Sequence, residues 1–350
     1  MDRYIGLDVH LQSCTMAVVG PSGRKLKSQV VETNGRALVG AIKSIAGRKH
    51  VCLEEGTQSA WLYEILKPHV EEVVVTVPPK RKGPKDDLRD ALELAEELRV
   101  GSFKKVVYKA PRRFSGLRDA VRTYIMMTRD MVRVKNRLKA VYRSRGIMTD
   151  KSVYVEEKRG RLEKKLPVSL RRRAAMLGEQ LDALEQQQQE SEDWLREESK
   201  EHEIIRKLST APGMGTIRTA QVVAIVVTPH RFRRLRQFWS YCGLGIVTRS
   251  SADWVNIDGK WIRAQTVQTL GLNLNRNSQL KAVFKGAATT VIRQLTGHLL
   301  HQDYQRMLQS GIKPNLAKLT LSRRIAAAVW SMWKNQEEYD PERPRRKKKA

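Results

Sequence analysis

The pattern of apolar and polar positions divides the chain into three regions. Residues Arg3 to Val9, Cys14 to Gly20 and Lys25 to Val31 are short β-prone runs separated by turn residues, and Pro21-Ser22-Gly23 is a hairpin signal. They predict three strands in a meander. A helical pattern from about Arg36 to Ile45 follows, then an apolar strand His50 to Glu54, a helix Ala60 to Leu66 and a strand Val73 to Val77 that Pro78-Pro79 stops. A basic loop, Lys80 to Lys85, leads to a helix from about Asp86 to Val100 and a short strand Lys104 to Tyr108. The order βββαβαβαβ predicts a mixed sheet with helices on its faces.

From about Ser115 the period lengthens to that of a long helix, with Leu117, Val121, Ile125, Met131 and Leu138 among the apolar positions. A second helix starts near Ser169, where Leu177, Leu181, Leu184 and, after a polar gap, Leu195 follow heptad-like steps. A helical hairpin or coiled coil is expected there. A third region, from about Lys207 to Asn335, reads as helices Thr219 to Val227, Arg234 to Tyr241, Leu280 to Leu295 and Ala317 to Trp333. Between them Ala252 to Ile262 predicts a hairpin turning at Asp258-Gly259. The division expected is 1–112, 113–206, 207–340 and a disordered basic tail over 341–350.

Charge narrows the partner. The 350 residues hold 66 Lys and Arg against 37 Asp and Glu, a formal +29 that repels itself unless a polyanion is the normal partner. Nucleic acid is the first choice. No apolar run reaches about 18 residues and no signal-peptide pattern opens the sequence, so a membrane is not expected and the chain reads as intracellular. Cys14, Cys52 and Cys242 are odd in number and set in apolar surroundings, which predicts buried thiols rather than disulfides or a zinc knuckle. His10 lacks paired ligand spacing and reads as a structural or polar-surface residue. Of the seven Trp, Trp330 and Trp333 read as core, while Trp254 and Trp261 on the predicted hairpin are better placed to touch a nucleobase.

Against this basic background a few acids stand out. Asp8 alternates with Gly6 along a strand expected at the sheet centre, where a lone carboxylate costs several kcal/mol unless paired or bound to a metal. Glu54 and Glu55 end an apolar strand. Asp87 and Asp90 are three apart on a helix and so share a face, an arrangement that opposes helix stability unless a cation joins them. The bland alternatives are a helix N-terminus rich in acids and a polar strand end. Together the acids predict a divalent-metal site for phosphodiester chemistry in an RNase H-like domain.

Two further patterns lie toward the carboxyl end. Leu208 to Gln221 reads as helix, Gly-x-Gly turn and helix, so Gly213 and Gly215 permit a tight turn whose N–H groups can face a phosphate. This is a helix-hairpin-helix-like element, with an ordinary helical turn as the alternative. Arg231, Arg233, Arg234 and Arg236 follow as a basic segment suited to a nucleic-acid backbone. Ser250-Ser251, taken alone, is a polar connector.

In their order these motifs resemble the DEDD transposases of the insertion sequence 110 family, whose first domain is similar to the junction resolvase RuvC. The resemblance rests on Gly6-Leu7-Asp8-Val9-His10, Glu55-Gly56-Thr57, Asp87-Leu88-Arg89-Asp90-Ala91, Pro212-Gly213-Met214-Gly215 and Gln237 to Leu244 followed by Ser250-Ser251. It implies a RuvC-like, RNase H-like α/β domain, a helical coiled-coil linker and a mostly α-helical domain. It further implies that Asp8, Glu55, Asp87 and Asp90 bind Mg²⁺, with Glu54 and Asp86 as neighbouring alternatives. Ser250, or Ser251 beside it, is implied to attack a DNA phosphate and form a covalent intermediate. The implied partners are donor and target DNA, a noncoding bridge RNA and further copies of the chain in a dimer or tetramer, in a prokaryotic, nucleoid-associated setting. Two rival functions remain: a RuvC-like structure-selective endonuclease that uses water, and a non-enzymatic nucleic-acid-binding protein.

Overall fold

The computed structural model describes residues 1–77, 86–103, 106–107, 114–250, 254–263 and 267–341. The expected loop over 80–85, most of the strand expected over 104–108, Ser251 and the tail beyond 341 lie outside the described residues. The chain divides into two compact units, 1–113 and 114–350.

In the first unit, β1 (Asp2–Val9), β2 (Ser13–Val19) and β3 (Lys25–Glu32) form the expected meander. Gly23 turns the second hairpin at φ 81°, a conformation open to glycine. Next come α1 (Gly35–Lys43), β4 (Arg48–Glu54), α2 (Ser59–Leu66), β5 (Glu72–Thr76) and α3 (Asp87–Val100). The sheet order is β3-β2-β1-β4-β5, antiparallel on the β2 side of β1 and parallel on the β4 side. One face carries Ile5, Leu7, Met16, Val51 and Leu53 against Leu38 and Ile42 of α1 and Leu62 and Leu66 of α2. Each of those four helical side chains is at most 1% exposed and contributes about 1.5–3 kcal/mol by burial. β3 is an edge strand whose first four residues are exposed.

The opposite face belongs to α3. Its buried residues Ala91, Leu94, Ala95 and Leu98 recur at helical spacing, and Leu94 and Leu98 pack on Cys52. Gly6 is required where α3 crosses β1: a Cβ there would lie 1.9 Å from the Ala91 carbonyl oxygen and 2.7 Å from the Ala95 nitrogen. The small residues on helix and strand let the two backbones touch. Gly101, left-handed at φ 71°, ends α3.

The second unit begins with α4 (Ser115–Arg143), α5 (Glu156–Glu163) and α6 (Val168–Lys200). α4 and α6 pack together as the expected helical pair, with Val134, Leu138, Val141 and Tyr142 in one core with Ala174 and Leu181. α5, which lacks an apolar stripe, is anchored instead by Arg159. Its guanidinium donates to both Asp182 oxygens at 2.6 and 2.8 Å, above Gly178, where a Cβ would come within 2.5 Å of it.

α7 (Glu203–Ser209) and α8 (Gly215–Val226) flank the Gly-x-Gly turn and pack on each other, and α8 also packs on α4 and α6. After α9 (Leu235–Tyr241), strands β6 (Ile246–Ser250) and β9 (Val267–Leu272) pair antiparallel around a hairpin of β7 (Trp254–Ile257) and β8 (Lys260–Arg263). Asp258 and Gly259 both take positive φ, 54° and 80°, as a two-residue hairpin turn demands. α10 (Ser278–Gln294), α11 (Leu299–Gln309) and α12 (Pro314–Asn335) complete the fold. Phe238 meets Phe284 edge-on, with centroids 6.0 Å apart, and Trp333 is buried while Trp254 and Trp261 are exposed. Among the described residues no helix is long and apolar enough to cross a membrane.

Candidate metal-binding active site

Asp8 lies at the carboxyl end of the central strand. Gly6 faces α3, so alternation turns Asp8 toward α3 as well, and the first turn of that helix meets it there. Asp87 stands one turn before Ala91, the residue lying on Gly6, and therefore above Asp8. Between the two carboxylates sits His10: its Nε2 is 3.2 Å from Asp8 Oδ2 and 3.2 Å from Asp87 Oδ1. One ligand atom from each of the three residues lies within 4.8 Å of the others. The sequence pattern placed His10 aside as structural; the two-residue offset from Asp8 was the signal that could have included it.

Asp86 and Asp87, adjacent in sequence, do different work. Asp86 is the N-cap of α3 and accepts from the Leu88 and Arg89 backbone N–H groups at 3.0 and 3.1 Å. Asp87, already inside the helix, is the one directed to Asp8. Asp90 follows one turn along, its N–H donating to the Asp86 carbonyl oxygen. The N-terminal end of the helix dipole offsets part of the repulsion among these acids, by about 0.3–1 kcal/mol each.

Glu54 and Glu55 both line a cleft of about 230 Å³ with Asp8 and His10. Glu54 is the last residue of β4 and lies two residues beyond Cys52, whose side chain packs under α3; alternation gives it the face of Asp8. Glu55 has left the strand: its N–H donates to the Thr76 carbonyl oxygen, and its carboxylate accepts from the Ser59 hydroxyl at 3.2 Å.

A divalent cation fits this arrangement. The buried His10 Nε2 lies between two carboxylate oxygens at ion-pair distance, yet in hydrogen-bonding geometry with neither. A cation among the three would satisfy all of them, and carboxylate-rich sets suit hard divalent ions. Cys14 is packed in the apolar core with Ile5, Leu7 and Met16, and burial first, then the charge of Asp8, pushes its thiol up to about 12.

In the second unit Gly213 and Gly215 take φ 73° and 59° ahead of α8. Arg231 donates to the carbonyl oxygens of Ile225 and Val226 and stands over the Tyr241 ring at 5.1 Å, tying down the end of α8. Arg233, Arg234 and Arg236 are exposed. Ser250 ends β6, opposite Val267; its side chain lies outside what is described.

A carboxylate-lined strand end facing a helix that begins with acids, followed by a long helical region, fits a DEDD nuclease-like domain. Residues 5–144 match the DEDD transposase model of IS110 elements, described as a transposase, and residues 205–305 match the model described as Transposase IS116/IS110/IS902 family. The chain belongs to the IS110 family of transposases. Comparison with curated proteins gives no match.

Proposed function

We propose that this transposase is an Mg²⁺-dependent recombinase that exchanges DNA strands through a serine-linked intermediate. The observation that carries the metal half of this reading is the approach of Asp8, His10 and Asp87 at the end of β1. Asp8, Asp87 and Asp90, with Glu54 or Glu55 across the cleft, are the residues to hold the ion. The strand alternation favours Glu54, and the capping role of Asp86 favours Asp87. When bound, divalent ions polarise a phosphate and stabilise the oxygens exchanged at phosphorus.

The chain's own residues supply the rest. Ser250, or Ser251, attacks a DNA phosphate through its hydroxyl oxygen, loses its proton and displaces one strand oxygen, so a phosphoserine ester replaces the broken phosphodiester. Attack by the hydroxyl of a second strand restores serine and reseals DNA, with the number of phosphate esters unchanged. The helix turn at Gly213 and Gly215, with exposed Arg233, Arg234 and Arg236, contacts the backbone. Choice of donor and target falls to a noncoding bridge RNA, and the assembly is a dimer or tetramer.

The test incubates the protein and its flanking noncoding RNA with donor DNA, target DNA and Mg²⁺, followed by peptide mapping. Phosphoserine on the peptide bearing Ser250 and Ser251 is the expected result. Recombination with an adduct at neither serine would refute the intermediate, and cleavage retained by Ser250→Ala and Ser251→Ala would favour a water-using nuclease.

A further inference from the structure

The second unit contains a larger cavity, about 600 Å³, formed by α4, α6, α8 and α10. That is within the range of small-ligand pockets and too small for a duplex. The N-terminus of α8 opens on it. The first-turn N–H groups of any helix lack an intrahelical acceptor, and here no N-cap side chain supplies one. Gly213 fixes the turn against α10, since a Cβ there would lie 2.4 Å from the Ala287 carbonyl oxygen. Around Gly215, by contrast, the space a Cβ would enter is open.

Charge in the cavity is unbalanced. Arg129, Arg196 and Arg218 line it with one carboxylate, Glu192, which leaves a net +2. Glu192 is already engaged by Arg196 at 2.6 Å. Arg218 is positioned without any carboxylate: it donates to the Gly213 carbonyl oxygen at 2.6 Å and to the Thr290 hydroxyl at 3.1 Å. Such a fixed cation beside a helix N-terminus suits a phosphate.

Farther along α8 the cavity offers a different chemistry. Gln221 lines the same cavity, is only 9% exposed, and has no hydrogen-bond partner among the described residues. Its amide atoms are not sealed from solvent, so they are open to a ligand in the cavity that offers both donor and acceptor. It lies six residues along α8 from Gly215, about 9 Å at the helical rise. Tyr124 adds an aromatic ring and a hydroxyl to the lining. A phosphate subsite at one end and an amide with an aromatic ring farther along match a nucleotide, whose base edge pairs with amides and whose face stacks on rings.

We propose that this cavity binds one unpaired nucleotide of a nucleic-acid strand, its phosphate at the start of α8 beside Arg218 and its base at Gln221. The proposal rests on the chain's reading as a nucleic-acid enzyme and adds a recognition site for a base drawn out of its stack. Full-length protein is titrated with duplexes carrying a single unpaired 2-aminopurine nucleotide, made as DNA and as RNA, and with fully paired counterparts.

The expected result is about fivefold or tighter binding of one bulged probe over its paired form, with a change in 2-aminopurine fluorescence. Gln221→Leu, which keeps the volume and removes the amide, abolishes that preference while leaving the affinity for the paired probe unchanged, whereas Gln221→Asn, which keeps an amide, retains part of it. A purely structural glutamine would not separate the two. Arg129→Gln weakens the bulged complex and lowers the slope of log affinity against log salt by about one. Whichever of the DNA and RNA probes shows the preference identifies the strand. Equal affinity for bulged and paired probes in both chemistries, or a preference untouched by both Gln221→Leu and Arg129→Gln, overturns the proposal. Asp8→Asn keeps the bulge preference under this proposal, so failure of the metal site and failure of the nucleotide site are read separately.

Discussion

Replacing Gly6 by alanine adds one methyl group at the point where α3 meets the central strand. The new Cβ falls 1.9 Å from the Ala91 carbonyl oxygen, and ordinary contact begins near 3.4 Å, so α3 must lift by about 1.5 Å. The clash is with backbone, and no side-chain change in α3 can relieve it. Overpacking of this kind costs about 1–3 kcal/mol, the upper end applying where backbone must move. For a unit of this size that lowers the melting transition by roughly 10 °C or more. The same lift carries Asp87 away from Asp8 and His10, and a misplacement near 1 Å costs about 100-fold in rate. Scanning calorimetry on the full chain, with Mg²⁺-dependent cleavage of donor DNA at a temperature where the variant is folded, reads both effects. A Gly6→Ala protein that melts and cleaves like the wild type would show that α3 does not set the site.

Four other outcomes follow from particular contacts. Asp87→Asn raises stability slightly in metal-free buffer by removing like-charge repulsion, and it flattens the gain in melting temperature on Mg²⁺ titration, which reaches about 2.7 kcal/mol in the wild type at a hundred times the dissociation constant. Asp86→Ala loses an N-cap worth about 1 kcal/mol in a thermal melt yet leaves that Mg²⁺ response in place. Arg159→Met strands Asp182 and destabilises the second unit by about 2–3 kcal/mol in urea unfolding, whereas adding Asp182→Leu recovers most of the loss. Cys14 and Cys52, both raised by burial from 9.0 to about 12, stay inert to thiol reagents in the native state; above pH 9 the unfolded chain releases protons that the folded one keeps, so stability falls by about 1.4 kcal/mol per pH unit for each thiol until pH 12. Thiol titration and pH-dependent melts check the sign.

The first unit was largely legible because its signals are local. Each strand is an apolar run bounded by turn residues, and Pro21-Ser22-Gly23 announces a hairpin there as Asp258-Gly259 does in the second unit. β6 and β9 were not legible, since they pair across some twenty residues and neither alternates cleanly. α5 and α11 were missed for a related reason: one is held by a buried Arg159 ion pair, the other buries only Tyr304 and Met307. Within the site, adjacent acids cannot be told apart by composition. Capping geometry separates Asp86 from Asp87, and strand alternation sets Glu54 apart from Glu55. His10, two residues after Asp8, has that offset as its one local signal, and its part in the site follows from α3 bringing Asp87 to it.

The exposed start of β3 bears on how copies of this protein can associate. An unpaired sheet edge is a template for another strand, but here it carries Lys25 and Lys27, and Arg24 precedes them. Two such edges brought together would oppose lysine to lysine along the seam, a juxtaposition that water and salt screen only in part. Pairing through β3 is therefore disfavoured as a route to assembly, and the basic edge beside the acid-bearing strands is left to water or to a polyanion.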